Sequence, residues 1–281
     1  MMDSYKRILT VQDISCVGQC SLTVALPILS ACGHETAILP SAVLSTHTAG
    51  FTGFTFRDLT DDIPAINAHW VKEGIKFDSI YTGYLGSKKQ IDFIKNLFST
   101  CGKEGSLKIV DPAMADNGKL YPLFNQEYAD EMAKLCSCAD YILPNITEAC
   151  FMTGYEYKEQ YDRSYIDGLL SALKKICPSS AIILTGVSYR EGKTGVVVYK
   201  EEKYEYYEHK KISQGCHGTG DVYASAFVGA LMRGKSAYES AVIAADYTVL
   251  CIEKTQGDKD HTYGVKFELA IPELVKMVYG K

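Results

Sequence analysis

The sequence predicts an α/β protein of three layers, with helices on both faces of a mainly parallel central sheet. Short apolar, β-branched runs alternate with runs of helical length almost throughout the chain. The apolar runs end repeatedly at Gly, Pro, Asp or Asn, where a ladder stops and a loop begins. The 281 residues are 47% hydrophobic and 22% charged, enough to bury one large core. No linker, repeat or low-complexity tract divides them, so residues 1–281 read as one domain.

Ile8 to Val11 reads as a first strand, Leu22 to Leu29 as a helix closed by Gly33, and Thr36 to Leu39 as a second strand ending at Pro40. That strand–helix–strand opening predicts a parallel unit with a right-handed crossover. Ligands in such sheets lie beyond the C-terminal strand ends, which places Asp13 near a site. Residues 41–56, rich in Ser, Thr, Gly and Phe and containing His47, show neither periodicity and read as a long loop or a short excursion from the sheet. Ile63 to Lys72 is a helix carrying the single Trp70, Ser79 to Tyr84 a strand, and Gln90 to Thr100 an amphipathic helix. Leu107 to Pro112 is a strand with Asp111 at its end, and Asp116 follows in a loop with Asn117-Gly118. Tyr128 to Cys138 is a helix and Tyr141 to Leu143 a strand stopped by Pro144-Asn145. A helix from Ile146 to about Gly154 follows, with Asn145 and Glu148 spaced either as a capping pair or as oxygen donors for magnesium. Tyr161 to Cys177 is a helix, and Ala181 to Gly186 a buried strand. Gly195 to Tyr199 and Tyr204 to Glu208 form an antiparallel edge hairpin around a charged turn. Helices at 221–232, 237–253 and 268–278 complete the chain, with a loop at 261–264.

The net charge of −5 leaves no basic footprint for nucleic acid. No uncharged segment reaches membrane-spanning length and the first residues carry no signal-peptide core, which predicts a soluble, cytoplasmic protein. The ten cysteines are scattered and often lie in apolar runs, as buried free thiols do. Cys136-x-Cys138 and the Cys16/Cys20 pair lack a second pair at zinc spacing, which argues against a metal–thiolate site.

The chemistry is expected at Gly215-Cys216-His217-Gly218-Thr219-Gly220-Asp221, where glycines lead into an Ala-rich helix. A glycine loop lets backbone N–H groups approach an anion, and the helix start adds free N–H groups and the positive dipole end. A carboxylate at Asp221 opposes phosphate binding unless it has another task, such as accepting a proton from an attacking hydroxyl.

Five segments, in order, resemble the pyridoxal kinase branch of the ribokinase-like kinases. They are Ser45-Thr46-His47-Thr48, Thr82-Gly83-Tyr84, Asp111-Pro112-Ala113-Met114-Ala115-Asp116, Pro144-Asn145-Ile146-Thr147-Glu148-Ala149 and Gly218-Thr219-Gly220-Asp221. The resemblance runs the length of the chain. It implies a ribokinase-like fold and transfer of phosphate from ATP to the 5′-hydroxymethyl of pyridoxal, pyridoxine or pyridoxamine. By it, Asp221 is the base, and the N–H groups of Gly218, Thr219 and Gly220 are the anion hole. Asp116, Asn145 and Glu148 hold the phosphates and Mg²⁺, with Asp116 and Glu148 on the metal side, and Thr185 and Gly186 line the nucleotide phosphates. Asp13, His47, Thr48, Tyr84 and Cys216 surround the ring. A bound K⁺, whose ligands the sequence does not mark, and a homodimer are further family expectations.

Three positions depart from the pattern. Asp13 follows Gln12 where the family has serine, Ala115 stands where it has glycine, and Cys216-His217 resemble hydroxymethylpyrimidine kinases of thiamine synthesis. That kinase is the nearest rival function. A non-catalytic B6 or nucleotide sensor is the rival of another class, and retention of Asp221 and its glycines speaks against it.

Overall fold

The computed structural model describes residues 5–48, 50–212 and 217–280. Its strands are β1 (Arg7–Ser15), β2 (Glu35–Leu44), β3 (Phe56–Asp58), β4 (Phe77–Thr82), β5 (Gly102–Val110), β6 (Ala115–Asp116), β7 (Lys119–Leu120), β8 (Tyr141–Ile142), β9 (Ala181–Val187), β10 (Lys193–Lys200) and β11 (Lys203–Lys210). The helices are α1 (Leu22–Ala31), α2 (Ile63–Lys72), α3 (Lys88–Cys101), α4 (Gln126–Cys136), α5 (Ile146–Thr153), α6 (Arg163–Ile176), α7 (Thr219–Met232), α8 (Ala237–Thr255) and α9 (Ile271–Tyr279), with a 3-10 turn at Phe267–Ala270.

One sheet runs β11-β10-β9-β8-β5-β4-β1-β2-β3, and β6 and β7 form a separate two-stranded ribbon. The pairs from β2 through β1, β4, β5 and β8 to β9 are all parallel. Antiparallel strands finish both edges: the expected β10–β11 hairpin on one side and β3 on the other. Successive residues of the central strands point to opposite faces and feed two cores. Leu9, Ile80 and Leu184 pack with α3 to α6, whereas Ile8, Tyr81 and Ile183 pack with α1, α7, α8 and α9. The expected three layers result. Close approach of α1 and α7 depends on Gly229, where a Cβ would sit 2.5 Å from Cys32 Sγ.

The first two strands differ from expectation. β2 does not stop at Pro40 but continues to Leu44, and β1 reaches Ser15. Gln12 faces Pro40 and Ile14 faces Val43, so Ser41 and Ala42 stand opposite Asp13 alone. This bulge interrupts the ladder beside the proline, which lets both strands run on. Residues 41–56 are therefore a strand end, a loop and the start of an edge strand. α7 also begins earlier than expected, at Thr219, with left-handed Gly218 before it.

The strand order reverses at β1, which has β2 on one side and β4 on the other. Such a switch point opens a crevice at the C-terminal strand ends. Among the described residues no helix is long and apolar enough to cross a membrane.

Candidate active site

The expected site residues gather along that edge. Asp13 lies at the β1 bulge, Tyr84 just beyond β4, and Asp111 just beyond β5. Asn145 follows β8, Thr185 and Gly186 lie at the end of β9, and Asp221 sits in the first turn of α7. Cys216 lies outside the described residues.

Gly218 opens α7 at φ 75°, ψ 0°. A Cβ there would fall 1.8 Å from the Gln19 carbonyl oxygen, so the glycine loop rests directly on the turn before α1. Gly220 faces open space. Gly218 gives α7 no side-chain cap, and the N-terminal end of a helix carries the positive end of its dipole. Burial pushes the Asp221 carboxyl up to about 6, Asp13 adds to the rise, and the Ser21 backbone N–H opposes it. A carboxylate poised there is ionised at neutral pH yet basic enough to share a proton in a transition state.

Asn145 and Glu148 form a complete capping box. Asn145 Oδ1 accepts from the Glu148 N–H at 2.9 Å, and Glu148 Oε2 accepts from the Asn145 N–H at 2.9 Å. The structural alternative for this pair is therefore realised, and the pair does more. Glu148 Oε1 accepts from the Met114 N–H at 2.9 Å, and Asn145 Nδ2 donates to the Ala115 carbonyl at 2.8 Å. The box thus pins the 113–116 segment to the start of α5. Glu148 is buried, and desolvation raises its carboxyl to about 7 against three backbone hydrogen bonds. We expect Asn145→Ala to cost about 1–3 kcal/mol, the sum of a lost cap and a lost amide–carbonyl bond. Thermal unfolding reads this out, and an unchanged Tm overturns it.

Asp111 lies at the same strand-end edge and is not among the candidate site residues. It is buried, accepts from the Ala113 N–H at 3.2 Å, and is held well above the usual carboxylate range by burial, then by Glu148 and Asp221. Tyr121 is returned to the same place by its N–H bond to the Met114 carbonyl at 2.9 Å. Burial, then Glu148, Asp111, Asp116 and Asp221 in turn, all raise the Tyr121 hydroxyl. Asp111 after β5, Asp116 in β6, Glu148 in α5 and Asp221 in α7 are thus brought to one edge of the sheet. Asp116 itself is exposed and caps its own turn, accepting from Asn117 at 2.8 and 2.9 Å.

Carboxyl groups that burial holds close to neutral are a donor chemistry that a hard divalent cation would favour in their charged form. Among the described residues no three Asp, Glu, His or Cys side chains close around one point.

At the opposite end Asp13 is 6% exposed and its Oδ2 accepts from Ser15 Oγ at 3.2 Å. Burial raises its carboxyl, while Ser21, Ser15 and His47 favour the charged form. The Tyr84 hydroxyl is pushed up to about 12 by burial, then by Asp13 and Asp58. The His47 backbone is held by the Val17 carbonyl at 2.8 Å, and its ring centroid lies 5.7 Å from that of His217. Thr48 is exposed at the rim. At the end of β9 Thr185 bonds to the Pro144 carbonyl through its N–H at 3.0 Å and its hydroxyl at 3.4 Å, and Gly186 turns away at φ 76°. Arranged this way, the crevice can hold a planar polar ring near β1 and a polyphosphate near β8 and β9, with a base between them.

The family model described as phosphomethylpyrimidine kinase matches residues 29–265. A pyridoxine kinase of Bacillus subtilis is 28% identical over 194 residues, which cover 66% of this chain and 67% of that one. A candidate phosphomethylpyrimidine kinase of Bacteroides thetaiotaomicron, solved in a form with pyridoxal, is 36% identical with a TM-score of 0.89, covering 96% of each chain. The pyridoxal kinase of Lactobacillus plantarum is 31% identical with a TM-score of 0.90, covering 97% of each chain. The ribokinase-like architecture expected from the sequence is thus shared with solved pyridoxal kinases, and the chain belongs to the phosphomethylpyrimidine kinase family.

Proposed function

We propose that this chain is a single-domain, ATP-dependent kinase that phosphorylates the 5′-hydroxymethyl group of a B6 vitamer, pyridoxal, pyridoxine or pyridoxamine. The observation that carries the reading is Asp221: a carboxylate raised to about 6 in the first turn of the helix that left-handed Gly218 opens, between two groups of polar residues. Phosphoryl transfer needs alignment and charge stabilisation more than covalent help. Asp221 accepts the proton of the substrate hydroxyl as its oxygen attacks the γ-phosphorus of ATP, and ADP leaves. The N–H groups of Gly218, Thr219 and Gly220 face the transferring phosphoryl oxygens. Asn145, Thr185 and Gly186 border the nucleotide phosphates. Asp116 and Glu148, together with Asp111, form the acidic wall toward Mg²⁺, which when bound neutralises phosphate charge. Asp13, His47, Thr48, Tyr84 and Cys216 surround the ring. We also propose a cytoplasmic homodimer, and the assay below includes K⁺.

The Ser45–Thr48 segment, Tyr84 and the likeness to a structure solved with pyridoxal favour a B6 vitamer. The family's own description supports the second reading, hydroxymethylpyrimidine as substrate. Coupled ADP release with Mg-ATP, in KCl and in NaCl, decides between them with pyridoxal, pyridoxine, pyridoxamine and hydroxymethylpyrimidine side by side. Highest kcat/KM with a B6 vitamer is expected. Preference for hydroxymethylpyrimidine overturns the substrate assignment, and no turnover with any of the four overturns the kinase reading.

A further inference from the structure

The segment that carries Tyr84 belongs to no regular element, because β4 ends at Thr82 and α3 begins at Lys88. It is nonetheless held at each step. The Ser41 hydroxyl donates to the Tyr84 carbonyl at 3.4 Å, and the Tyr128 hydroxyl donates to the Leu85 carbonyl at 2.6 Å. Gln90 Oε1 accepts from the Gly86 N–H at 2.7 Å. Of these anchors the Tyr128 bond is the buried one, with Tyr128 4% exposed and Leu85 fully enclosed. Away from water such a bond fixes a carbonyl firmly, and its loss orphans that carbonyl.

Fixing the main chain does not fix the Tyr84 ring, which can still turn between rotamers. What meets that ring is Phe124, with centroids 5.5 Å apart and planes 34° from parallel. Phe124 in turn lies flat on Tyr128, at 3.8 Å and 10°. Both partners stand on anchored backbone. The Phe124 N–H donates to the Tyr121 carbonyl at 2.9 Å, and the Tyr128 N–H donates to Asn125 Oδ1 at 3.0 Å where α4 begins. An apolar residue just before a helix often packs on its first turn, which accounts for the Phe124–Tyr128 contact alone. It does not account for the Tyr84 ring against Phe124, nor for the Tyr128 hydroxyl on Leu85. Tyr128 thus reaches the Tyr84 segment twice, through Leu85 by its hydroxyl and through Phe124 by its ring. We propose that Phe124 and Tyr128 are positioning residues for ring binding that act through Tyr84: their stack sets the plane of the Tyr84 ring, and the Tyr128 hydroxyl sets the place of its backbone.

This inference rests on the B6-kinase reading, in which Tyr84 borders the vitamer ring, and deepens it. The two halves separate by substitution. Phe124→Leu keeps an apolar side chain but ends the stack. It is expected to raise the vitamer KM about three- to tenfold, the worth of an aromatic pair, with kcat within about twofold of wild type and the KM for ATP unchanged. Phe124→Tyr keeps a ring in the same plane and should hold the wild-type vitamer KM. Tyr128→Phe keeps the stack, loses only the hydroxyl, and should raise the vitamer KM by about twofold or more. The deciding measurement is a double-mutant cycle. Tyr84→Ala raises the vitamer KM by itself, and adding Phe124→Leu should raise it no further, because the stack has nothing left to position. Steady-state kinetics with each substrate varied at saturation of the other gives every value. An unchanged vitamer KM in Phe124→Leu or in Tyr128→Phe overturns the proposal. So does an equal rise from Phe124→Leu with and without Tyr84, since a merely structural role is indifferent to that ring. Wild-type enzyme without turnover on any vitamer sinks the underlying reading, so the two failures are distinguishable.

Discussion

Asp221→Asn is expected to lower kcat by about 10²–10⁴-fold while leaving the KM for ATP nearly unchanged, the range that a positioned general base supplies. Asparagine keeps the size of the side chain and its place in the first turn of α7 but cannot accept the proton. The wild-type pH profile carries the same argument. The base works only when ionised, and burial raises it to about 6, so kcat/KM should fall as pH drops through that value and level off above it. Stability should move the other way. The carboxyl's folded value lies above its unfolded value of 3.8, so the fold favours its protonated form. That contribution is fully present below pH 3.8 and is lost as pH rises through about 6, leaving a charged group that burial disfavours at neutral pH. Asparagine removes the penalty, and with some solvent contact remaining at Asp221 the gain should be about 1–2 kcal/mol at pH 8. A variant that is inactive, binds ATP and melts higher than wild type at pH 8 fits a catalytic base stored under strain. Near-normal turnover removes Asp221 from that role, and a lower Tm shows that the side chain serves the fold.

The sequence made the strand ends legible because short-range chemistry marks them. Pro112 and Pro144 stop ladders, Gly83 and Gly186 permit close turns, and Asn145 with Glu148 spells a capping box that the structure forms in full. What it hid was set by distance along the chain. Asp111 reads as a strand terminus until Glu148 and Asp221 are folded against it, and only then does its charge become a feature of the site. Pro40 misleads for a related reason. A proline ends most strands, but here the register slips opposite Asp13 and the ladder survives it. The same bulge re-aims Asp13, so the local irregularity that defeats the strand boundary is the one that builds the ring end of the site.

Gly218→Ala is the substitution expected to damage fold and activity together. Two separate costs meet at this position. The left-handed conformation at φ 75° penalises any Cβ by about 1–2 kcal/mol. The larger cost is steric. The new methyl would lie 1.8 Å from the Gln19 carbonyl oxygen and 3.0 Å from its carbon, both backbone atoms that no rotamer change can move. Relief therefore requires the glycine loop and the 19–21 turn to separate by more than 1 Å. That shift carries the first N–H groups of α7 away from the transferring phosphoryl group, and displacements of this size cost about 100-fold in rate. A loss of about 2–4 kcal/mol in stability should accompany it. Gly257→Ala isolates the first cost, since Gly257 has φ 89° with nothing within 4 Å of the added methyl. It should lose about 1 kcal/mol and keep wild-type kcat. Thermal unfolding and steady-state kinetics on both variants separate the contributions. If Gly218→Ala behaves like Gly257→Ala, the contact between the glycine loop and the Gln19 turn does not hold the anion hole in place, and the loop must be positioned from α7 alone.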